Sequence, residues 1–304
     1  MFRSILLLSD LTETTAFAFA PVAALAKQHP GVRVVLAHAV VGSTEQFFLD
    51  DAIRGRIDKR AMDKARPQLE ELGARLHAMG VDVEIALEIG SPYNVLFQLA
   101  ERYAADCIVV PTKHQHSVVR RVSNSVTARA IRAHALPVMT MNQHFGAHAA
   151  AFAGFGTVLH PVDFGPGQRD GVNAAAEFAA SVSAKLELLH VIRPFHLDDL
   201  LEGEDEADAA AARAGVEAMH TRAEQGLADV LSRVSGVGAE ARVISADAPG
   251  EGICAHAAAI GASCIVLPAL GRDKVRTQLM GSVAEYLIAH APCPVLFHDG
   301  HEHA

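Results

Sequence analysis

Residues 4–10 read Ser-Ile-Leu-Leu-Leu-Ser-Asp, and residues 157–163 read Thr-Val-Leu-His-Pro-Val-Asp. Each stretch is a short apolar run that ends in an aspartate. A second apolar run, ending in histidine, follows each one at residues 34–38 and 186–190. The aspartate and the histidine are 28 residues apart in the first case and 27 in the second. This preserved order indicates an internal repeat.

Later segments fix the period of the repeat. Three pairs of similar segments share a spacing of 157 residues: 105–111 with 262–268, 124–126 with 281–283, and 137–138 with 294–295. A period of this length is the size of a domain, which favours two copies of one fold over a solenoid. We predict a first domain at residues 1–141 (copy one), a linker without clear periodicity at 142–156, and a second domain at 157–304 (copy two).

Short β-branched runs alternate with alanine-rich stretches at helical spacing in each copy, a pattern typical of β-α-β units. Strands are predicted at 4–9, 32–39, 82–88, 107–111 and 137–141, and again at 157–162, 185–191, 240–245, 264–268 and 294–298. Helices of copy one are predicted near 15–29, 52–79, 92–104 and 125–135. The predicted fold class is α/β, with two tandem Rossmann-like, doubly wound domains, each a five-stranded parallel sheet flanked by helices.

Composition narrows the class of protein. Half of the 304 residues are hydrophobic and 20% are charged, which excludes a disordered or fibrous chain. No apolar run reaches the 18 residues of a membrane-spanning helix, and the first residues lack the features of a signal peptide. Four cysteines without a Cys-x-x-Cys pair fit a reducing compartment. These features predict a cytoplasmic protein with no membrane partner.

The charge distribution indicates whether the protein could bind nucleic acid. The net charge is −9, with 16 Lys and Arg against 14 Asp and Glu in residues 1–150, and 10 against 21 in residues 151–304. The chain contains no tryptophan. An acidic chain with no tryptophan and only three tyrosines argues against general nucleic-acid binding.

Polar residues gather where strands end. Ligand crevices of doubly wound sheets lie beyond the carboxyl ends of the strands, and six residues are predicted there: Asp10, His38, Pro111, Asp163, His190 and Pro268. The segment after the fourth strand of copy two has Gly271, nine residues, and then Gly281-Ser282 at a helix start. Glycines allow close approach of the backbone and helix starts attract anions, so this spacing is typical of a phosphate cradle.

Several segments of copy two resemble the universal stress protein family. They are residues 281–285 (Gly-Ser-Val-Ala-Glu), 289–295 (Ala-His-Ala-Pro-Cys-Pro-Val), 161–164 (Pro-Val-Asp-Phe) and 189–191 (Leu-His-Val). The resemblance covers nearly the whole chain, which is similar to the tandem form of the family. Nucleotide-binding members carry Gly-x-x-Gly, nine residues, then Gly-Ser or Gly-Thr. In them the glycines and the hydroxyl hold phosphates and ribose, while the first-strand aspartate and the residue after the second-strand histidine lie by the nucleoside.

Position by position, the resemblance implies a site for ATP or a related adenine nucleotide in copy two, formed by Asp163, Val191, Pro268, Gly271, Gly281, Ser282 and Val283. Pro268 replaces the first glycine and removes a backbone N–H. The equivalents in copy one are Asp10, Ala39, Pro111, His114, Asn124, Ser125 and Val126. Copy one has lost all three glycines, so we expect its cradle to be degenerate.

Structural roles compete with ligand binding at several of these positions. Ser125 and Ser282 stand where helices begin and are also typical N-caps. Asp10 and Asp163 are equally typical of turns after strands. His38 and His190, at the ends of buried strands, are predicted to be packing residues. Cys107 and Cys264 are predicted to serve as small apolar residues inside buried strands. The 17 histidines show no convincing spacing for a metal, and no metal site is expected.

The resemblance implies a stress-response protein that senses a small molecule or binds a protein partner not identifiable from sequence, without turnover. The two domains are expected to pair as an internal pseudo-dimer, and further self-association stays open. No catalytic residue is predicted, because none of the common hydrolase or P-loop motifs occurs. Two alternatives remain: slow ATPase or phosphate-transfer activity in copy two, and carriage of another small ligand.

Overall fold

A computed structural model describes residues 2–42, 50–113, 125–133, 136–165, 168–194, 206–268 and 281–298. Every predicted strand is present, and each end lies within one residue of its predicted position. The strands are β1 Ser4–Leu8, β2 Arg33–Val40, β3 Val83–Ile89, β4 Cys107–Pro111, β5 Val138–Met141, β6 Thr157–Pro161, β7 Lys185–Ile192, β8 Ala239–Ser245, β9 Cys264–Leu267 and β10 Val295–Phe297.

The helices alternate with these strands, as the pattern predicts. They are α1 Phe19–Gln28, α2 Asp51–His77, α3 Pro92–Arg102, α4 Val126–Arg132, α5 Gln143–Gly146, α6 Gln168–Ser181, α7 Glu206–Leu231, α8 Pro249–Ala259 and α9 Ser282–His290. Helix α1 starts later than predicted, because a 3₁₀ helix, Glu13–Ala18, precedes it. The Thr12 side chain caps that 3₁₀ helix by accepting a hydrogen bond from the Thr14 N–H.

The described residues form one ten-stranded sheet in the order β3-β2-β1-β4-β5-β10-β9-β6-β7-β8. Strands within each copy are parallel, whereas β5 and β10 pair antiparallel, with Val138 opposite Phe297 and Thr140 opposite Val295. The resemblance to the universal stress protein family implies that the last strands of the two domains meet, and this contact is confirmed. The strand order reads the same from both edges, as a two-fold axis between the copies would produce.

Apolar layers cover both faces of the sheet. Helices α1, α2, α6 and α7 pack on one face, and α3, α4, α8 and α9 pack on the other. The central strands are therefore buried on both sides, as in β1, where Ile5, Leu6 and Leu7 are all inaccessible to solvent. This explains why the central strands are continuous apolar runs without alternation.

The predicted linker, residues 142–156, packs closely against both copies. Asn142 caps α5 and donates a hydrogen bond from Nδ2 to the Ala291 carbonyl at 3.1 Å. Phe145, Phe152, Phe155 and Phe178 form a chain of edge-to-face ring contacts, with centroids 5.2–5.8 Å apart. Such contacts hold the segment in place between α9 and α6.

Candidate functional site

The candidate site residues lie at the carboxyl ends of the strands, one group in each copy. Asp10 and Asp163 follow β1 and β6, and Ala39 and Val191 are the penultimate residues of β2 and β7. Pro111 ends β4, and Pro268 follows β9 directly. Ser125 and Val126 begin α4, while Gly281, Ser282 and Val283 begin α9. Gly271, His114 and Asn124 lie outside the described residues.

Both copies make the same unusual turn after the aspartate. Leu11 and Phe164, the residues that follow Asp10 and Asp163, each have φ of +57°. Residues other than glycine seldom adopt this left-handed backbone conformation, and for a residue as bulky as phenylalanine the conformation is strained. The shared turn keeps the two carboxylates in equivalent places, so their surroundings can be compared directly.

In copy one, the Asp10 carboxylate is fully engaged by its own chain. Its Oδ1 accepts hydrogen bonds from the Thr12 N–H at 3.0 Å and the Thr12 hydroxyl at 2.6 Å. Its Oδ2 lies 3.3 Å from Lys113 Nζ. Burial alone would raise the pKa of the Asp10 carboxyl, but Thr12 and Lys113 outweigh it and hold the pKa below its usual value. The carboxylate is thus stabilised in its charged form without a ligand.

In copy two, the Asp163 carboxylate has fewer partners. Its Oδ1 accepts a hydrogen bond from the Gly165 N–H at 2.9 Å. Within the described residues its Oδ2 accepts none, and no cation pairs with it. The Phe164 ring instead packs against the His190 ring, with centroids 4.5 Å apart. Within the described residues, the Asp163 carboxylate is thus less engaged than that of Asp10.

The two strand-end histidines are fixed in the same way. His38 Nδ1 lies 2.7 Å from the Ser9 carbonyl, and His190 Nδ1 lies 2.7 Å from the Val162 carbonyl. A carbonyl oxygen only accepts hydrogen bonds, so Nδ1 carries the proton in both rings. Each histidine ties the second strand of its copy to the end of the first, which agrees with the packing interpretation.

The helix starts differ between the copies. The Ser125 hydroxyl accepts a hydrogen bond from the Ala128 N–H at 3.1 Å and caps α4, as predicted. The same prediction for Ser282 is wrong, because α9 begins one residue earlier, with Gly281 at the N-cap and no side-chain cap. Ser282 is exposed, and its hydroxyl makes no hydrogen bond to the described part of the chain. A Cβ added at Gly281 would meet no atom within 4 Å, so this helix start faces open space.

The apolar site residues belong to the core layer beneath the helix starts. Val126 and Val283 pack with Ala39 and Val191 against the layer formed with α3, α4, α8 and α9. A Cβ on Gly252 of α8 would lie 3.6 Å from Val191 Cγ1. These four residues are thus part of the apolar packing at the strand ends and helix starts.

His160 is a buried polar residue under the site of copy two that the sequence analysis did not single out. It is 2% exposed, and its Nδ1 donates to the Val266 carbonyl at 2.9 Å. A Cβ on Gly171 of α6 would lie 3.2 Å from His160 Cε1 and 3.4 Å from Pro268 Cβ. Burial lowers the pKa of His160 to about 4. The one signal in the sequence is a histidine where copy one has Leu7.

Burial makes the described thiols poor nucleophiles, and the described residues include no cluster placed to hold a metal. Cys107 and Cys264 are inaccessible to solvent, and burial raises the pKa of both thiols. Cys254 is half-buried, and burial raises its pKa to about 11. No group of three or more His, Cys, Asp or Glu side chains is placed to hold a metal there. No described helix is long and apolar enough to cross a membrane.

Comparison with known proteins assigns the family. The model of the universal stress protein family matches residues 1–141 and again residues 154–297. The chain therefore belongs to the universal stress protein family and carries two of its domains. A search of curated protein sequences found no match.

Two solved structures that match nearly the whole chain share its fold. A universal stress protein from Archaeoglobus fulgidus DSM 4304 is 19% identical, with a TM-score of 0.65 over 98% of this chain and 99% of that chain. A protein of unknown function from Pseudomonas aeruginosa PAO1 is 17% identical, with a TM-score of 0.51 over 98% and 92%. A universal stress protein solved in complex with cAMP is 20% identical and matches 48% of this chain and 98% of its own, with a TM-score of 0.33.

Proposed function

We propose that copy two binds an adenine nucleotide weakly, and that the protein acts in the stress response by sensing this ligand rather than by turning it over. Membership of the universal stress protein family supports the role in stress. The family's nucleotide pattern, retained in part in copy two, supports the ligand class. The described geometry supports copy two over copy one.

The observation that supports the proposal most directly is a difference in hydrogen bonding between the aspartate and serine of copy one and those of copy two. In copy one, Asp10 is engaged by Thr12 and Lys113, and Ser125 caps its helix. In copy two, the second carboxylate oxygen of Asp163 and the hydroxyl of Ser282 make no hydrogen bond within the described residues. Free polar groups near a helix start suit a ribose hydroxyl and a phosphate.

Pro268 sets the expected strength of binding. A backbone N–H that donates to a phosphate contributes about 1.5–3 kcal/mol, and proline has no such donor. Each 1.4 kcal/mol corresponds to about tenfold in affinity. A site with proline here should therefore bind about one to two decades more weakly than one with glycine, and the protein should purify largely without nucleotide.

Calorimetric titration with ATP tests the proposal on matched variants. Asp163→Asn should weaken ATP binding about tenfold, because a neutral amide replaces the carboxylate that accepts a charge-assisted hydrogen bond from the nucleoside. Gly281→Glu should weaken it about tenfold or more, because it places a negative charge beside the phosphates. Asp10→Asn makes the same change in copy one and should leave the affinity unaltered. The Glu variant should fold, since a Cβ at Gly281 meets no neighbour.

Three outcomes would contradict the proposal. Equal weakening by Asp10→Asn and Asp163→Asn would remove the preference for copy two. The absence of saturable heat at millimolar ATP would remove the nucleotide and leave binding to a protein partner as the function. Steady release of phosphate that Gly281→Glu abolishes would replace sensing with slow ATPase activity.

A further inference from the structure

A groove on the helical face of copy two contains none of the predicted nucleotide-binding residues. It lies between α6 and the carboxyl end of α7, and its volume is about 370 Å³. Its lining is Gln168, Arg169, Val172, Asn173, Val230 and Arg233. Two arginines and two amides therefore surround a small apolar floor. The same place in copy one shows how the groove arises.

The first helices of the two copies can be aligned without ambiguity. Asp10 and Asp163 are followed by residues with the same φ of +57°, which sets an offset of 153 residues. At this offset the buried positions of α1 and α6 coincide, and Phe19 corresponds to Val172, both about 5% exposed. Val172 therefore occupies the place of a much larger ring.

The second helices align through the hydrogen bonds at their ends. Met79 N–H donates to the Leu76 carbonyl, and Arg233 N–H donates to the Val230 carbonyl, each at 3.1 Å. The offset here is 154 residues, so Leu76 corresponds to Val230, and Met79 corresponds to Arg233. With Phe19 replaced by Val172 as well, two large side chains of copy one become valines in copy two. Such large-to-small replacements leave space unless the surroundings collapse.

The charges across the groove also differ. In copy one the Arg75 guanidinium lies 5.5 Å from the centre of the Phe19 ring, and its Nη1 is 2.8 Å from Glu13 Oε1. That arginine is neutralised by its own carboxylate. In copy two, Arg169 and Arg233 replace Ala16 and Met79, and neither lies within 4.0 Å of a carboxylate of the described residues. Asp170 follows Arg169 in sequence and Asp229 precedes Val230, but neither aspartate lines the groove.

We propose that this groove is a second binding site, for a small organic anion. The guanidinium groups of Arg169 and Arg233 would hold its carboxylate or phosphate, because the planar fork of arginine matches both groups. The apolar part would lie on Val172 and Val230, with the amides of Gln168 and Asn173 at the rim. The volume falls in the range of small-molecule sites. Four of the six lining residues are polar or charged, which suits an anionic ligand rather than an apolar one.

Calorimetric titration of the full chain tests the site with three probes. Phenyl phosphate and phenylacetate carry the two candidate groups on one ring, and 2-phenylethanol is the neutral counterpart. At least one anion should bind saturably, and 2-phenylethanol at least tenfold more weakly. Arg169→Gln and Arg233→Gln should each weaken that anion about tenfold or more. Val172→Phe, which restores the ring of copy one, should abolish binding.

Arg222→Gln, an exposed change on the same helix α7, is the matched control and should leave binding unaltered. Circular dichroism checks that Val172→Phe folds, and the arginine variants carry the test if it does not. The stronger of the two anions identifies the group that the site prefers. The proposal is overturned if neither anion binds, if 2-phenylethanol binds equally well, or if the arginine variants bind like the parent.

Discussion

Glu187 on β7 and His256 on α8 form a buried polar pair in copy two. Glu187 is 3% exposed, and its Oε1 lies 2.5 Å from His256 Nε2 and 3.7 Å from the exposed Arg242 Nε. The equivalent residues of copy one are Val35 and Leu99, both inaccessible to solvent. The repeat thus contains an apolar version of the same contact.

Removing one partner of this pair should cost more than removing both. His256→Leu removes the hydrogen bond to the buried Glu187 carboxylate and leaves it paired with the exposed Arg242 Nε at 3.7 Å, and should lower the free energy of unfolding by about 1–3 kcal/mol. The double change Glu187→Val with His256→Leu restores the pair of copy one and should lie within about 1 kcal/mol of the parent. Urea unfolding at pH 7 measures both. A double variant as unstable as the single one would contradict this account.

His160 should make the stability of the protein depend on pH. Burial lowers its pKa from 6.5 to about 4, so the unfolded chain binds this proton more readily than the folded one. Its contribution is therefore complete above pH 6.5 and is lost as the pH falls toward 4, by about 3 kcal/mol in all.

The substitution His160→Leu, which restores Leu7 of copy one, isolates this contribution. The loss of stability between pH 6.5 and 4 should be about 3 kcal/mol smaller in the variant than in the parent. Urea unfolding across this range gives both curves. Parallel curves for the two proteins would show that His160 does not carry the dependence.

At the scale of elements, the strands were predictable because buried parallel strands are continuous apolar runs. Helix α1 was misplaced at its start, because the Thr12 cap and the 3₁₀ turn that follows depend on local hydrogen bonds. The capping role was right for Ser125 and wrong for Ser282, since a shift of one residue in the helix start changes which residue is the cap. The groove between α6 and α7 was not predictable, because it depends on packing between distant segments.

Pro268, directly after β9, can be tested by substitution. Pro268→Gly restores a backbone N–H and the close approach of the backbone, so ATP should bind about ten to a hundred times more tightly than in the parent. Calorimetric titration of the two proteins makes the comparison. Low-micromolar binding by the parent, with no gain in Pro268→Gly, would show that this proline does not weaken the site.

At the scale of the whole molecule, antiparallel pairing of β5 with β10 makes one sheet of two copies. The fixed offset of the late segments predicts two equivalent copies, and the resemblance to the family implies that their last strands meet. The copies keep the same topology, yet they differ in charge and in the engagement of their strand-end carboxylates. Duplication has thus preserved the packing layers while the carboxyl ends of the strands diverged.

The number of ATP molecules bound per chain tests this divergence most directly. Native mass spectrometry at increasing ATP concentration counts them, with Gly281→Glu and Asp10→Asn measured in parallel. We predict one ATP per chain in the parent and in Asp10→Asn, and none in Gly281→Glu at the same concentration. Two ATP molecules per chain, or one that survives in Gly281→Glu and disappears in Asp10→Asn, would contradict a site confined to copy two.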